Sequence, residues 1–190
     1  ILTDPSYRGF IVAMSYPMIG NYGVNEVDLE SAQVHPRGFV VHELCREPSN
    51  WRSQGPLNDL LVRNGVVGLE GIDTRALIRH VRKQGSMKAV LATGSYDIEE
   101  LLDQIKKVPD LSAERLVDEV TPDEPYLFAD GDGSRVTVID FGVKANVLRS
   151  IDDRGCRVYV VPARFNSEQI MATQPDGVIL SNGPGDPNAR

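Results

Sequence analysis

The sequence predicts an α/β protein with two domains, and three observations lead to that prediction. Beyond residue 134, three apolar runs alternate with two amphipathic runs, which is the order of a parallel sheet with right-handed helical crossovers. Residues 10–50 instead hold short apolar runs separated by glycine and proline turns, which indicates a β-rich start. Residues 121–134 are rich in proline, glycine and aspartate, as linkers are. We therefore expect domains at 1–134 and 135–190, with the linker at about 121–134.

The first domain begins with short strands and a short helix. Each predicted strand is an apolar run bounded by glycine or polar residues, and the helix is predicted from leucines at helical spacing. An Asn-Gly pair is placed to end that helix, since both residues tolerate left-handed backbone. In chain order, the predictions are strands at 10–15 and 38–44 with a turn at 20–23 between them, a helix from Leu57 to Asn64-Gly65, and a strand at 66–69.

Two longer helices follow in the same domain. Asp73 or Thr74 can cap the first, because short polar side chains accept hydrogen bonds from first-turn N–H groups, and Gly85 is placed to end it. Asp97 caps the second, which Pro109 ends. Helical spacing gives each an apolar face. The faces comprise Leu77, Ile78 and Val81 in the first helix and Ile98, Leu101, Leu102 and Ile105 in the second, with a strand predicted between the helices at 88–92 and a short helix after them at 116–120.

The second domain reads as strand, helix, strand, helix, strand. The strands are predicted at 136–139, 157–161 and 177–180, and the helices at 145–153 and 167–173. Three parallel strands make only half of a doubly wound sheet, and both faces of such a sheet must be covered. We therefore expect the other strands and helices to come from sequence outside this chain.

Composition disfavours several classes of function. The net charge is −7, and residues 97–132 hold 12 acidic against 3 basic side chains, so no basic stripe is available for nucleic acid. The acidic run alternates with leucines, as on a solvated helix face. No apolar stretch approaches the roughly 20 residues that cross a bilayer, and no leader opens the chain. With only two, widely separated cysteines, a cytoplasmic protein is expected.

Cysteine and histidine suggest no catalytic or metal site here. Cys45 and Cys156 lack metal-ligand spacing, and Cys156 lacks the glycine-rich elbow of a nucleophile, so a buried thiol is expected. His35, His42 and His80 show no ligand pairing, and no metal is expected.

Asp140 ends the first parallel strand, where response-regulator receivers carry a phosphorylated aspartate. Receivers also need acidic residues before that aspartate and at the end of the third strand, and this chain has Val138-Ile139 and Ser181-Asn182 there. We expect Asp140 instead to hydrogen-bond nearby backbone or to cap the helix that follows.

A rigid glycine turn follows the last strand. Pro184 fixes its own φ and Gly185 can take positive φ, which favours a type II turn with these residues at its centre. The N–H groups of Gly183, Gly185 and Asp186 are then available, and a substrate oxygen can approach them closely. A turn that needs glycine for backbone geometry alone is the open alternative.

Five blocks of this sequence occur in the same order in a known family. They are residues 1–7, residues 16–23 continuing through Glu30-Ser31, and residues 71–75, 140–144 and 180–187. Together they resemble the small, glutamine-hydrolysing subunit of carbamoyl-phosphate synthetase, and the last block resembles class I glutamine amidotransferases more widely. Each block alone is weak evidence, but their colinear occurrence over nearly the whole chain is specific.

The resemblance implies an enzyme subunit that hydrolyses glutamine to glutamate and ammonia. A large partner subunit then uses the ammonia with bicarbonate and ATP to make carbamoyl phosphate, so a heterodimer is expected, with ATP and magnesium on the large subunit and no cofactor in this chain. The implied fold is an N-terminal β/β/α domain followed by the first half of a flavodoxin-like glutaminase domain. Whether arginine or pyrimidine synthesis consumes the product is left open.

The resemblance also implies three site residues. Gly183 matches the backbone donor of the oxyanion hole, and Ser6, Gly183 and Gly185 match glutamine-binding positions. By local pattern alone, Ser6 is a turn serine bonded to its own backbone. The family's nucleophilic cysteine, its histidine base and the orienting glutamate lie past the glycine turn. The sequence also opens at Ile1 without an initiating Met. We therefore expect a chain truncated at both ends and, without those three catalytic residues, inactive by itself.

The alternative hypothesis is a non-catalytic module, a degenerate small subunit that binds the large subunit without hydrolysing glutamine. The next 30 or so codons discriminate between the two, because an active subunit requires Gly-x-Cys-x-Gly after another apolar strand.

Overall fold

A computed structural model describes residues 1–186 of the chain, and Pro187, the last residue of the glycine-turn block, lies outside them. Contacts divide the chain into two units that interleave in sequence. The first unit comprises residues 9–28 and 36–110, and the second comprises residues 1–8, 29–35 and the chain from Leu111 onward. The predicted α/β class is confirmed. The sequence boundary near Ser134 stays a prediction, since the units are defined by contacts and not by position in the sequence.

The first unit contains two small parallel sheets and three helices. Its larger sheet has the order β1-β3-β5, and a second sheet pairs β2 with β4. The middle strand is the buried one, since Phe39 and Val40 are each 3% exposed. The elements are β1 (Ile11–Ala13), β2 (Met18–Ile19), β3 (Gly38–Val40), β4 (Glu43–Leu44), α1 (Leu57–Arg63), β5 (Val67–Leu69), α2 (Thr74–Gln84) and α3 (Ile98–Lys107).

Both long helices begin where the sequence predicts them. The carboxylates of Asp73 and Asp97 accept first-turn N–H groups at 2.9 and 2.8 Å, and Gly85 follows the last residue of α2. The apolar face of α3 lacks cover in the described structure, with Ile98 65% and Leu102 51% exposed. Periodicity therefore located the helix but did not identify a packing partner. None of the helices in residues 1–186 is long and apolar enough to cross a membrane.

Residues 88–92 do not form the predicted strand. Leu91 lies against β3 instead, because a Cβ built on Gly38 would come within 2.4 Å of Leu91 Cδ1. Both edges of β3 are already paired, with β1 on one side and β5 on the other. The segment therefore contributes an apolar side chain to the sheet and no ladder hydrogen bonds.

The second unit is a four-stranded sheet with the order β6-β8-β7-β9. Strands β8 and β9 both run parallel to β7, as predicted, and β6 runs antiparallel to β8. Val138, Val158 and Val160 are completely buried and pack with Leu148. The elements are β6 (Tyr126–Asp130), β7 (Arg135–Asp140), α4 (Ala145–Asp152), β8 (Arg157–Pro162), α5 (Ser167–Ala172) and β9 (Gly177–Leu180), and short 3-10 helices lie at Pro5–Tyr7, Leu111–Ala113 and Leu116–Glu119.

Strand β6 lies inside the stretch expected to be a linker. Its backbone pairs with β8 on the side that β7 leaves free, from Tyr126 opposite Val160 to Asp130 opposite Arg157. An open sheet edge offers unpaired N–H and C=O groups to any extended neighbour, and an apolar run between proline and glycine turns can supply one. The linker prediction therefore does not describe these five residues.

Candidate functional site

Two loops meet at one edge of the second unit's sheet. β7 and β9 are parallel neighbours, so their carboxyl ends lie side by side, which is where open α/β sheets bind ligands. Ser181 connects the loop after β7 with the turn after β9. Its N–H donates to the carbonyl of Ile139 at 3.1 Å, and its Oγ accepts the N–H of Phe141 at 2.9 Å.

Asp140 organises the first of these loops from inside. It is 7% exposed, and its Oδ1 accepts the N–H groups of Gly142 and Val143, both at 2.7 Å. Burial raises the pKa of this carboxyl above its ordinary value, although the two N–H bonds act in the opposite direction. The prediction that Asp140 bonds nearby backbone is confirmed.

Glu30 caps the helix that follows. The carbonyl of Glu30 accepts the N–H of Ala145 at 2.8 Å, and its Oε2 accepts the N–H of Asn146 at 2.9 Å. Lys144, the N-cap residue of α4, makes no side-chain capping bond. Local capping patterns could not reveal this contact, because it spans 116 residues of sequence.

Ser6 is held in a turn beside the same loops. Asp4 Oδ1 accepts the N–H of Ser6 at 2.9 Å, and Asp4 Oδ2 lies 3.5 Å from Lys144 Nζ. Asp4 is buried and Ser6 is half-buried. The first residues of the chain are therefore packed against the loop after β7.

Asn182 brings Ser6 and the glycine turn together. Its Nδ2 lies 2.6 Å from Ser6 Oγ and 3.2 Å from the carbonyl oxygen of Gly142. The sequence placed Asn182 within the turn block but assigned it no role. A signal was present, since the NH₂ group of an amide carries two hydrogens and can donate to two acceptors at once.

Gly183 is closely surrounded. A Cβ at this position would lie 2.2 Å from the carbonyl oxygen of Phe141, a distance that no side chain tolerates. Gly185 has a φ of +90°, as the central glycine of a type II turn requires. Within the described residues, the structure gives neither glycine's N–H a hydrogen-bond partner.

Two cavities in the described part of the chain do not coincide with the glycine turn. One cavity of about 480 Å³ is lined by Arg135, Arg157 and Tyr159, and another of about 320 Å³ is lined by His35 and Asp140 among others. Neither lining includes Ser6, Gly183 or Gly185. The glycine turn is distinguished by converging hydrogen bonds and by lack of side-chain volume, which are the features a polar substrate needs.

The remaining reactive side chains fit structural roles. Cys156, predicted to be a buried thiol, is only partly buried and packs against the valine core of the second unit. His35 is 5% exposed, and burial lowers the pKa of its imidazole. Within residues 1–186, no three side chains of the His, Cys, Asp and Glu types form a group that could hold a metal ion.

A parallel sheet with a glycine turn and polar loops at its carboxyl edge defines a ligand-binding α/β domain, and residues 137–190 match the family model described as glutamine amidotransferase class-I. Residues 1–91 match the model described as carbamoyl-phosphate synthase small chain, CPSase domain. The chain belongs to the carbamoyl-phosphate synthase small-chain family.

Individual relatives agree with this assignment. The chain is 47% identical over 201 residues to the carbamoyl phosphate synthase small chain of Syntrophotalea carbinolica. The alignment covers 98% of this chain and 54% of the relative. Identity is 46% over 200 residues with that of Aquifex aeolicus, with the same coverage of 98% and 54%. It is 48% over 186 residues with that of Archaeoglobus fulgidus, covering 98% and 52%. The chain thus spans about half the length of the curated relatives it matches.

Proposed function

We propose that this chain supplies the glutamine-binding and oxyanion-stabilising part of a glutamine-hydrolysing carbamoyl-phosphate synthetase small subunit. One observation carries the proposal most directly. Asn182 holds Ser6 next to the glycine turn, through bonds of 2.6 Å to Ser6 Oγ and 3.2 Å to the carbonyl of Gly142. Ser6 and Gly183, which the resemblance assigns to one site, lie in segments that this amide joins.

The turn suits the chemistry of amide hydrolysis. Attack on the side-chain amide of glutamine produces a tetrahedral intermediate whose oxygen carries negative charge. Removing one hydrogen-bond donor to such an oxygen costs about 2.7–4 kcal/mol in related enzymes. A backbone N–H at Gly183 is a rigid donor for this purpose, because its turn is tied to the loop after β7 through Ser181 and Asn182.

Gly185 and Ser6 complete the glutamine site in this proposal. Gly185 leaves the turn open to substrate, and Ser6 offers a hydroxyl to an oxygen of glutamine. The nucleophilic cysteine, the histidine base and the glutamate of the family are to be sought in the half of the relatives' length that this chain does not match.

The proposal extends to a partner and a setting. A large subunit would take up the ammonia and use it with bicarbonate, ATP and magnesium, so that the small subunit itself needs no cofactor. In this proposal the assembly works in the cytoplasm and supplies arginine or pyrimidine synthesis.

The test uses the full-length gene product purified with its large subunit. We expect formation of glutamate from glutamine, and carbamoyl phosphate synthesis with either glutamine or ammonia as nitrogen donor. A complex that assembles and uses ammonia but releases no glutamate from glutamine would identify the non-catalytic module instead.

A further inference from the structure

We propose that Asn182 is a positioning residue that fixes the direction of the Ser6 hydroxyl proton, so that Ser6 donates a hydrogen bond to an oxygen of glutamine. The proposal rests on the proposed function and deepens it. It starts from one side-chain amide that contacts two groups from distant parts of the chain, Ser6 Oγ at 2.6 Å and the carbonyl oxygen of Gly142 at 3.2 Å.

The carbonyl of Gly142 decides which end of the amide faces these groups. A carbonyl oxygen can only accept hydrogen bonds, so the NH₂ end of Asn182 must point toward it. The same nitrogen carries a second hydrogen, and Ser6 Oγ lies within its reach. Asn182 therefore donates to both groups, and Ser6 Oγ is an acceptor in this pair.

An accepted bond leaves the Ser6 hydroxyl with its own proton to donate. The backbone of Ser6 is held separately, since its N–H donates to Asp4 Oδ1 at 2.9 Å. Within the described residues, Asn182 is the partner that the structure gives to Ser6 Oγ. A hydroxyl that already accepts one bond is polarised toward donating another, because successive hydrogen bonds strengthen each other.

Gly142 makes the amide's position rigid. Its φ is +126°, and a Cβ there would approach Pro5, Pro184 and Gly183 at 3.1–3.3 Å. The two neighbouring N–H groups of the loop are fixed by the buried Asp140. The carbonyl of Gly142 thus holds the amide of Asn182 in place. The amide in turn orients the hydroxyl of Ser6.

Glutamine offers only acceptors at its oxygens. Both its carboxylate and its amide carbonyl need donors, so a serine hydroxyl whose proton is turned toward substrate binds better than one turned toward a protein acceptor. Reversing the direction of the Asn182–Ser6 bond should therefore weaken glutamine binding without removing any reacting group.

The variant Asn182→Asp reverses the bond with nearly the same shape. A carboxylate cannot donate to Gly142 or to Ser6, and it accepts the proton of the Ser6 hydroxyl instead. In the full-length protein with its large subunit, we expect the KM for glutamine to rise on the order of tenfold. Loss of one hydrogen bond to a charged substrate group typically lowers the affinity by about that factor. The kcat should change by less than about threefold. In Asn182→Ala the hydroxyl is free to rotate, and we expect a smaller rise in KM.

A Ser6→Ala background separates orientation from simple structural support. If Asn182 acts through the Ser6 proton, Asn182→Asp should change the KM by less than about twofold once that hydroxyl is gone. Asn64→Asp and Asn64→Ala serve as matched controls, since Asn64 Nδ2 donates to the carbonyl of Leu60 at 2.8 Å at the end of α1. Thermal unfolding of each variant checks that it is folded.

Three results would overturn the proposal. One is an unchanged KM in folded Asn182→Asp, and another is an equal rise in KM with and without the Ser6 hydroxyl, which would assign Asn182 a structural role only. The third is a parent complex that hydrolyses no glutamine, in which case the proposed function fails and this inference fails with it.

Discussion

Gly183 has no room for a side chain, and the obstacle is backbone. The carbonyl oxygen of Phe141 would lie 2.2 Å from any Cβ at this position. A flexible neighbour could move aside, but this carbonyl belongs to a loop whose N–H groups are fixed by Asp140 and Ser181. A side chain at residue 183 must therefore displace the turn itself.

We expect Gly183→Val in the full-length protein to lower glutamine-dependent synthesis by about 10²–10³-fold, the usual cost of losing one oxyanion donor. Synthesis from ammonia should persist, because it does not use the glutamine site. Steady-state assays with each nitrogen donor measure both rates. Gly177→Val is the matched control, since a Cβ at Gly177 meets nothing within 4 Å and valine suits a strand. Full glutamine-dependent activity in Gly183→Val would show that Gly183 is not part of the glutamine site.

Asp140 should make the stability of the protein depend on pH. Its pKa is raised in the folded state, mainly by burial, so the folded state holds this proton more tightly than the unfolded state. Its contribution is fully present below the ordinary value of 3.8 and is lost as pH rises through the folded pKa.

Asp140→Asn keeps an acceptor oxygen for Gly142 and Val143 and removes the buried charge. We expect the variant to gain stability relative to the parent as pH rises from about 4 toward neutrality. Urea unfolding across that pH range measures the difference, with the exposed Asp132→Asn as control. A difference that shrinks with rising pH would contradict the burial-driven shift.

At the scale of elements, α4 obtains its N-terminal cap from another part of the chain. The first N–H groups of a helix lack internal partners, and a nearby carboxylate also interacts favourably with the helix dipole. Glu30 supplies both a carbonyl and a carboxylate to Ala145 and Asn146.

Glu30→Ala should reduce the free energy of unfolding by about 1 kcal/mol, a typical cost for a lost cap. Glu30→Gln should cost less, because an amide oxygen can still accept the N–H of Asn146. Urea unfolding of the full-length protein measures both. Glu26→Ala is the control, since the hydrogen bond that Glu26 makes uses its backbone N–H. Equal stability of the parent and Glu30→Ala would show that water replaces the carboxylate.

Sequence periodicity predicted the regular elements well because their causes are local. Spacing of apolar residues and capping side chains such as Asp97 act within a few positions. The misses have non-local causes. Residues 88–92 have strand composition, but β3, which Leu91 contacts, is already paired on both sides. Residues 126–130 instead pair with the side of β8 that β7 leaves free.

Local sequence patterns predicted the residues of the candidate site less completely than they predicted the helices and strands. Local pattern marked the turn at Gly183 to Gly185, but Ser6 entered only through the resemblance to a family, and its place in the glutamine site stays a prediction. The bond to Asn182 joins residues 176 positions apart. No periodicity or turn preference encodes such a pair.

At the scale of the whole molecule, the contact units cross the predicted boundary near Ser134. Residues 1–8 and 29–35 belong with the chain from Leu111 onward. Thr3 illustrates this arrangement, since its Oγ1 accepts the N–H of Glu30 and its carbonyl accepts the hydroxyl of Ser31. The two N-terminal segments therefore support each other and the second sheet.

We expect the full-length protein divided at residue 134 to yield a C-terminal piece that unfolds at lower urea concentration than the same region of the intact protein. The piece lacks the cap from Glu30 and the contact from Ser6 to Asn182. Addition of a peptide spanning residues 1–35 should raise the midpoint, as a ligand of the folded state does. An identical midpoint before and after division would show that the boundary near Ser134 separates independent domains.

The distance in sequence between Ser6 and Asn182 also sets an order of events during synthesis. At roughly 5–20 residues per second, about 9–35 s separate the appearance of the serine from that of its amide partner. During that interval Ser6 cannot form its bond to Asn182. This part of the candidate site can therefore assemble only after the segment that carries the glycine turn has been synthesised.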